Sequence, residues 1–394
     1  MRLPSLLALL LLPLAAAAQT PADYQRIVDG YLATRQGPEG ISGVAAYVSL
    51  GDPGPDVALY AGSLAREGGE PVSGETLFQI GSNTKVFTAA LLLALEARGK
   101  LSMEDRLGDW LPAYPAWKDV SIRRLLNMTS GLPTYSENPA FSRLQGEDPN
   151  RHFTPEELIG FAYPGPDTHL PPNEGWFYSN TNYILAGMIA EKAAGMAYGA
   201  ALERYLFQPA GLHDTHYEPE AYPPEITGRM AAGYFENPAC ELYAPDCAAS
   251  GLAPLIGRDV RGFDVSWAGA AGGIVSSPRE LNRWVRALFA GRVLPPPQLE
   301  ALLALVSTES GAPLAYVSAQ EPRGFSLGLV RIYRPQLGAV WFYEGETLGY
   351  RTAFLFWPER DLLVAGAVNS QPEAEEDHLV PLLARLATLA MQAR

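Results

Sequence analysis

The residues of this sequence best suited to nucleophilic chemistry are Ser82 and Lys85, which lie three positions apart in the segment Ile-Gly-Ser-Asn-Thr-Lys. Only four of the 29 basic residues are lysines, and Lys85 alone among them follows a serine at this spacing. Arginine keeps its proton in proteins, whereas a buried lysine can lose its proton and act as a base. The pair therefore indicates a serine nucleophile with a lysine base, although a surface lysine near a helix-capping serine would give the same pattern.

The residues that follow would bring both side chains to one face of a helix. Residues 85–98 have a strongly helical pattern. If the helix begins near Ser82, a side chain three positions later lies one turn away on the same face. The N–H of Ser82 would then lie at the positive end of the helix dipole, which favours a developing oxyanion. The same dipole and the apolar neighbours Val86 and Phe87 would lower the pKa of Lys85.

A second candidate is the aromatic segment Glu-Gly-Trp-Phe-Tyr-Ser-Asn-Thr-Asn-Tyr at residues 174–183. Tyr178 and Asn180 flank one residue, just before a predicted helix. A phenol beside a lysine could relay a proton, since a neighbouring cation stabilises phenolate. The plainer interpretation is an aromatic loop in which Asn180 or Thr181 caps the helix.

The two motifs together resemble those of the serine β-lactamase and penicillin-binding-protein superfamily. Within it, the sequence is most similar to the branch of class C β-lactamases, D-Ala-D-Ala carboxypeptidases, D-aminopeptidases and related esterases. The resemblance extends over about residues 24–390, and it is carried by further segments at 101–107, 122–132 and 271–281 and by Asn369. Each motif alone is weak, and their combination is strong.

The resemblance implies a third element on a strand lining the site, where the family has Lys-Thr-Gly or His-x-Gly. Here the matching residues are Tyr343, Glu344 and Gly345, so a tyrosine stands where the family has a cation. By resemblance, the N–H of Glu346 would be a second oxyanion donor opposite the N–H of Ser82. The missing cation argues against recognition of a carboxylate next to the scissile bond.

The family's chemistry is acyl transfer through an acyl-enzyme without a metal or organic cofactor. Ser82 would be the nucleophile, and Lys85 and Tyr178 together would handle its proton, with the base of each step left open. Tyr178 would protonate the leaving group and activate the deacylating water. Asn180 would bind the acyl side of the substrate and help hold Lys85. The implied substrates are small esters, amides or D-amino-acid peptides, and a β-lactamase proper is an alternative.

Two alternative functions are also compatible with parts of the sequence. Gly-Phe-Ser-Leu-Gly at 324–328 matches the nucleophile elbow of α/β-hydrolases, and Asp361 and His378 follow Ser326 in the matching chain order. That motif requires a strand before the serine and a helix after it, whereas residues 327–334 have a strand pattern. A catalytically weak ligand-binding relative is the other alternative, although such a protein would not need all three catalytic side chains.

The elements that must position these residues are arranged as strands at both chain ends and helices between them. Strands are predicted at 44–50, 57–60, 77–80, 326–332, 340–343, 351–357 and 362–368. Helices are predicted at 23–35, 85–98, 121–128, 155–162, 181–194, 199–207, 278–290 and 379–392. Short turns between consecutive strands require antiparallel pairing. We therefore predict an α+β fold, with an antiparallel sheet formed by about residues 19–99 and 325–394 and a mainly helical region at about 100–324.

The N-terminal segment, the net charge and the two cysteines indicate the compartment of the protein and the kinds of partner it can have. Residues 1–18 have the pattern of a secretory signal, which predicts an exported, periplasmic or secreted domain at 19–394 with no stable membrane anchor. The net charge of −14 argues against nucleic acid and anionic membrane surfaces as partners. The family resemblance implies a small-molecule ester, amide or peptide substrate. Cys240 and Cys247 are expected to form a local disulfide, and no metal site is predicted. The oligomeric state is not predicted.

Overall fold

The computed structural model describes residues 19–51, 54, 56–163, 175–236, 251–372 and 378–392. The predicted secretory signal and the predicted disulfide between Cys240 and Cys247 lie outside the described residues and stay predictions. Within the described ranges, every helix is too short or too polar to span a bilayer.

The helices follow the periodicity of the sequence closely where they are long. In chain order they are α1 (Pro21–Arg35), α2 (Thr84–Glu96), α3 (Leu107–Trp110), α4 (Ile122–Leu126), α5 (Pro139–Glu147), α6 (Pro155–Gly160), α7 (Asn180–Ala194), α8 (Tyr198–Leu202), α9 (Gln208–Ala210), α10 (Pro224–Thr227), α11 (Gly269–Gly272), α12 (Pro278–Phe289), α13 (Pro296–Leu303) and α14 (Leu379–Gln392). A 3₁₀ turn at Gly81–Asn83 leads directly into α2.

The strands come mainly from the two ends of the chain. They are β1 (Gly43–Ser49), β2 (Asp56–Gly62), β3 (Phe78–Gln79), β4 (His216–Tyr217), β5 (Tyr234–Glu236), β6 (Ile274–Ser276), β7 (Leu305–Ser307), β8 (Pro313–Leu314), β9 (Arg323–Phe325), β10 (Val330–Arg334), β11 (Gly338–Thr347), β12 (Tyr350–Trp357), β13 (Leu362–Val368) and β14 (Ser370–Pro372). Among the described residues the main sheet has nine strands in the order β2-β1-β13-β12-β11-β10-β9-β7-β8, all paired antiparallel. The predicted α+β fold with an antiparallel sheet built from both chain ends is confirmed.

The centre of this sheet is buried on both faces. Every residue of β12 and β13 is buried, which explains why their sequences are nearly continuous apolar runs without a polar alternation. Helices α1 and α14 pack together on one face, and α12 packs on the other. The amide of Asn369 ties the end of β13 to the start of β1, because its Oδ1 accepts hydrogen bonds from the N–H groups of Ser42 and Gly43 at 3.0 and 2.9 Å.

One predicted strand differs from the structure in a way that matters for the site. Residues 326–332 were expected to be continuous strand, but β9 ends at Phe325 and β10 begins only at Val330. Gly328 between them has φ +83°, and a Cβ there would lie 2.9 Å from the carbonyl oxygen of Lys85. The tight turn therefore lets this hairpin close against the start of α2.

Candidate active site

The 3₁₀ turn and the first turn of α2 place Ser82 and Lys85 side by side. Lys85 is 0% exposed, because α2 is buried along nearly its whole length and packs against the helices α7, α11 and α13. Its Nζ donates hydrogen bonds to Ser82 Oγ at 2.9 Å and to the carbonyl oxygen of Ala271 at 2.8 Å. The ammonium or amine is thus aimed at the serine and held there by backbone.

Two glycines allow the backbone of β11 to lie against this turn. Gly81 has φ +50°, and a Cβ on it would lie 2.5 Å from the backbone N of Glu346. A Cβ on Gly345 would lie 2.6 Å from the backbone N of Ser82. Any larger residue at either position would push the two segments apart. The backbones of Ser82 and Glu346 are therefore adjacent, as two N–H groups must be if they bind one oxyanion.

Tyr178 completes a hydrogen-bonded chain of three side chains. Its hydroxyl lies 2.7 Å from Ser82 Oγ. The flanking backbone is held on both sides by Met128, whose carbonyl accepts the N–H of Phe177 at 2.9 Å and whose Sδ lies 3.3 Å from the N of Ser179. Met128 has φ +64°, an uncommon conformation for a residue with a side chain, and such strain is characteristic of residues that position a site.

Burial sets the protonation of this chain. Desolvation holds the pKa of Lys85 well below its ordinary value of 10.5, so the neutral amine is favoured. Desolvation also raises the pKa of Tyr178 to about 12, and the hydrogen bond from Ser82 opposes this rise only in part. Both shifts act toward the uncharged forms, and a neutral amine can serve as a base while a neutral phenol relays a proton.

These pKa values predict the pH dependence of turnover. As pH falls through the lowered pKa of Lys85, the amine becomes protonated and kcat/KM is expected to fall. As pH rises, kcat/KM should stay level until Tyr178 begins to ionise near its pKa of about 12. The measurement is kcat/KM for an ester from about pH 5 to 10.5, with the uncatalysed rate subtracted. If kcat/KM fell on the acid side with an apparent pKa close to 10.5, the pKa of Lys85 would be unperturbed, and its assignment as a neutral base would be contradicted.

Asn180 lies at the first position of α7 beside the pocket. Its Nδ2 donates to Ser136 Oγ at 3.0 Å, and its N–H donates to Thr134 Oγ1 at 3.1 Å. The expected contact between Asn180 and Lys85 is not present, because the lysine is held by the Ala271 carbonyl. Contact of Asn180 with the substrate stays a prediction.

Tyr343 occupies the third-motif position and points toward Tyr178. It is only 3% exposed, and its hydroxyl has no hydrogen-bond partner among the described residues. The two hydroxyls are close enough to influence each other's pKa, yet their geometry is not that of a regular hydrogen bond, so we treat the Tyr343 hydroxyl as unsatisfied. Burial raises its pKa well above 10, which keeps it neutral. A substrate oxygen could satisfy this donor.

The pocket around these residues has a volume of about 280 Å³, and Ser82 lines it. Several of its lining residues were not predicted from the sequence, namely Trp176, Arg323, Phe325, Val330 and Phe342. Glu344 and Glu346 also line it. Arg351, the cross-strand partner of Glu346, is buried, and its guanidinium donates to Glu39 and to the carbonyl of Ser370.

The alternative nucleophile elbow is not supported. Ser326 lies in the turn between β9 and β10, and no helix follows it. The carboxylate of Asp361 pairs with Arg286, and the ring of His378 pairs with Glu39 at 2.8 Å. The carboxylate and the imidazole that would complete this triad are thus both engaged elsewhere, because the chain order that suggested them does not determine which residues meet in space. No cluster of metal-binding side chains occurs in the part of the chain that the structure describes.

The sequence matches one family model and is similar to several characterised bacterial proteins. The Beta-lactamase family model matches residues 28–389. Penicillin-binding protein 4* of Bacillus subtilis is 28% identical over 312 residues, which cover 79% of this chain and 64% of that protein. Esterase EstB of Burkholderia gladioli is 33% identical over 175 residues, which cover 41% of this chain and 44% of the esterase. Both alignments span less than two thirds of the relative.

The similarity in structure extends further than the similarity to these two sequences. The crystal structure of a D-stereospecific amidohydrolase from Streptomyces sp. superposes with a TM-score of 0.74 at 26% sequence identity. The superposition covers 95% of this chain and 98% of that protein.

Proposed function

This chain belongs to the beta-lactamase family, and from that membership and the geometry around Ser82 we propose that it is a serine acyl hydrolase working through an acyl-enzyme. The observation that carries the proposal is the chain of contacts from Lys85 Nζ to Ser82 Oγ at 2.9 Å and on to the Tyr178 hydroxyl at 2.7 Å. A serine within hydrogen-bond distance of a neutral amine is an activated nucleophile.

In the acylation step, Lys85 takes the proton of Ser82 as Oγ attacks the substrate carbonyl carbon. The N–H groups of Ser82 and Glu346 bind the oxyanion of the tetrahedral intermediate. When the intermediate collapses, the bond to the leaving group breaks, and the leaving group takes a proton from Tyr178. The proton that Lys85 took from Ser82 then restores the phenol, so the net result is the transfer of one proton from the Ser82–Tyr178 pair to the leaving group.

In the deacylation step, a water molecule attacks the acyl-enzyme carbonyl. Lys85 and Tyr178 accept one water proton and return it to Ser82 Oγ as the acid product leaves. The free serine is regenerated, and one water is consumed for each acyl group released. Neither step requires a metal or an organic cofactor.

The pocket supports esters and uncharged amides as substrates. The family cation is replaced by the neutral hydroxyl of Tyr343, and Glu344 and Glu346 add negative charge that a single arginine, Arg323, only partly offsets. A carboxylate next to the scissile bond would therefore be poorly stabilised. A free amine would be tolerated better, so D-amino-acid amides are a second candidate, and the structural similarity to a D-stereospecific amidohydrolase also supports them. A β-lactamase proper remains the alternative.

Changing Tyr343 to histidine is expected to shift the substrate preference. A histidine would supply a partly cationic donor, and charge-assisted hydrogen bonds of this kind contribute about 1.5–3 kcal/mol. The ratio of kcat/KM for nitrocefin to that for p-nitrophenyl acetate should rise by about tenfold to a hundredfold. Tyr343→Phe is the control, because it removes the hydroxyl without adding charge and should not raise the ratio. Native nitrocefin hydrolysis above that of the best ester would contradict the proposal.

The activity itself is tested with a panel of p-nitrophenyl esters, D-amino-acid amides, a D-Ala-D-Ala peptide and nitrocefin. Esters or amides should be the best substrates, with the Ser82→Ala variant as the blank. If the enzyme hydrolysed none of these compounds, the result would favour a ligand-binding relative.

We also propose that the protein is exported and that its partner is a small molecule and not nucleic acid. The test is the N-terminus of the exported protein, which should lie near Gln19.

A further inference from the structure

Tyr343 brings to the Ser82 pocket a hydroxyl group that attack by the serine does not itself require. It lies on β11 two residues before Gly345, so the two residues face the same side of the sheet. Gly345 is where that side meets the catalytic turn, since a Cβ on it would lie 2.6 Å from the backbone N of Ser82. The Tyr343 side chain therefore lines the pocket from the strand that also carries the N–H of Glu346.

The surroundings of the Tyr343 ring are apolar. Its centroid lies 6.2 Å from that of Phe325, and its cross-strand partner on β12 is Phe354. All three residues are at most 3% exposed. Among the described residues, no atom accepts a regular hydrogen bond from the hydroxyl. A buried hydroxyl without an acceptor costs free energy, so we expect its acceptor to arise at another stage of the reaction.

The oxygen of Tyr178 is the acceptor that fits. Tyr178 lines the same pocket, and its hydroxyl lies 2.7 Å from Ser82 Oγ. Burial is the main cause of the raised pKa of both phenols, but the Tyr343 hydroxyl lowers the pKa of Tyr178, whereas Tyr178 raises that of Tyr343. These opposite signs make Tyr343 the donor. Once Tyr178 has given its proton to a leaving group, its oxygen is a phenolate and a much stronger acceptor.

We propose that the Tyr343 hydroxyl donates a hydrogen bond to the Tyr178 phenolate as the leaving group departs, and that the substrates are esters of aliphatic alcohols or amides, whose leaving groups must be protonated. The bond from the carbonyl carbon to the leaving oxygen or nitrogen breaks, and that atom takes the Tyr178 proton. Tyr343 keeps its own proton, and the proton that Lys85 took from Ser82 restores Tyr178. A hydrogen bond made only at this stage accelerates the chemical step without tightening substrate binding. The proposal rests on the proposed function.

The first test compares p-nitrophenyl, phenyl and ethyl acetate, in order of rising basicity of the leaving group. p-Nitrophenolate departs without a proton, whereas ethoxide does not. Tyr343→Phe should lower kcat/KM for ethyl acetate by about tenfold to a hundredfold, as expected for loss of a hydrogen bond to a charged acceptor. The loss for p-nitrophenyl acetate should be less than about threefold. The same loss for all three esters, or a native enzyme that hydrolyses only the aryl esters, would overturn the proposal.

Tyr350→Phe is the matched control for this series. Tyr350 is also fully buried, and its hydroxyl donates to the carbonyl of Ala231 at 2.7 Å, outside the Ser82 pocket. Its loss should change kcat/KM for the three esters by one common factor. Tyr343→Phe should be at least as stable to heat as the native protein, because it removes an unsatisfied buried hydroxyl. A clear fall in its melting temperature would indicate a structural role and count against the proposal.

The second test shows whether Tyr343 acts through Tyr178. If it does, Tyr178→Phe/Tyr343→Phe should hydrolyse ethyl acetate no more slowly than Tyr178→Phe alone, measured at high enzyme concentration. Losses that multiply would assign the hydroxyl to another acceptor and overturn the proposal. Hydrolysis by Ser82→Ala would remove the proposed function and this inference with it. An inactive Ser82→Ala protein combined with a uniform effect of Tyr343→Phe would remove only the role of Tyr343.

Discussion

Replacing Ser82 by alanine is expected to lower kcat for the best ester by about ten-thousandfold to a millionfold, as removal of a nucleophile does in other serine hydrolases. The oxygen that Lys85 and Tyr178 both contact is lost, so no acyl-enzyme can form. The fold should persist, since the Nζ of Lys85 keeps its bond to the Ala271 carbonyl. Steady-state kinetics and circular dichroism measure the two effects.

Ser326→Ala is the matched control for this change. Ser326 is a fully buried serine, and its hydroxyl has no partner among the described residues. Its replacement should leave kcat and KM nearly unchanged. If Ser326→Ala abolished activity and Ser82→Ala did not, the nucleophile assignment would be reversed.

Replacing Lys85 by arginine should have the second largest effect. Arginine would place a permanent positive charge at this buried position and cannot lose its proton, so it cannot accept the proton of Ser82. We expect kcat/KM to fall by about a thousandfold or more, with the loss in the acylation step. Pre-steady-state measurement of the p-nitrophenol burst would show that step directly, since the burst rate should fall with kcat.

Lys85→Met keeps this prediction testable if the larger arginine disturbs packing. Methionine is unbranched and uncharged and fits the fully buried position without a cation. Its activity should be as low as that of the arginine variant, while its thermal stability should be at least that of the native protein, because no ionisable group is then buried. Substantial acylation by Lys85→Met would make Tyr178 the base.

Much of the catalytic chain could be predicted from the sequence because its spacing is local. Ser82 and Lys85 are three residues apart at a helix start, and helical geometry alone brings such residues together. The long helices and central strands were predictable for the same reason, since their apolar periodicity is strong. Tyr178 is 96 positions away from Ser82 in the chain. It could be assigned to the same site only through the resemblance to the superfamily, which the family match confirms.

The remaining parts of the site depend on contacts that a sequence pattern does not record. The carbonyl that holds Lys85 belongs to Ala271, whose side chain carries no chemical signal, and Asn180 was assigned that role instead. Met128 supports Tyr178 through its backbone conformation and its sulfur. The short strands β7 to β9 were missed because two or three residues are too few to show an alternation. Arg323, on β9, was missed with them.

The most direct measurement is mass spectrometry of the native enzyme quenched during turnover of a slowly hydrolysed p-nitrophenyl ester. We predict one acyl group per chain, located after digestion on the peptide that contains Ser82, and no label on the Ser82→Ala protein. Tyr178→Phe should accumulate more of the same adduct if the phenol assists deacylation. An acyl group on Ser326 would contradict the assignment of Ser82 as the nucleophile. The assignment would equally be contradicted if no covalent adduct formed and the Ser82→Ala protein still turned over the ester.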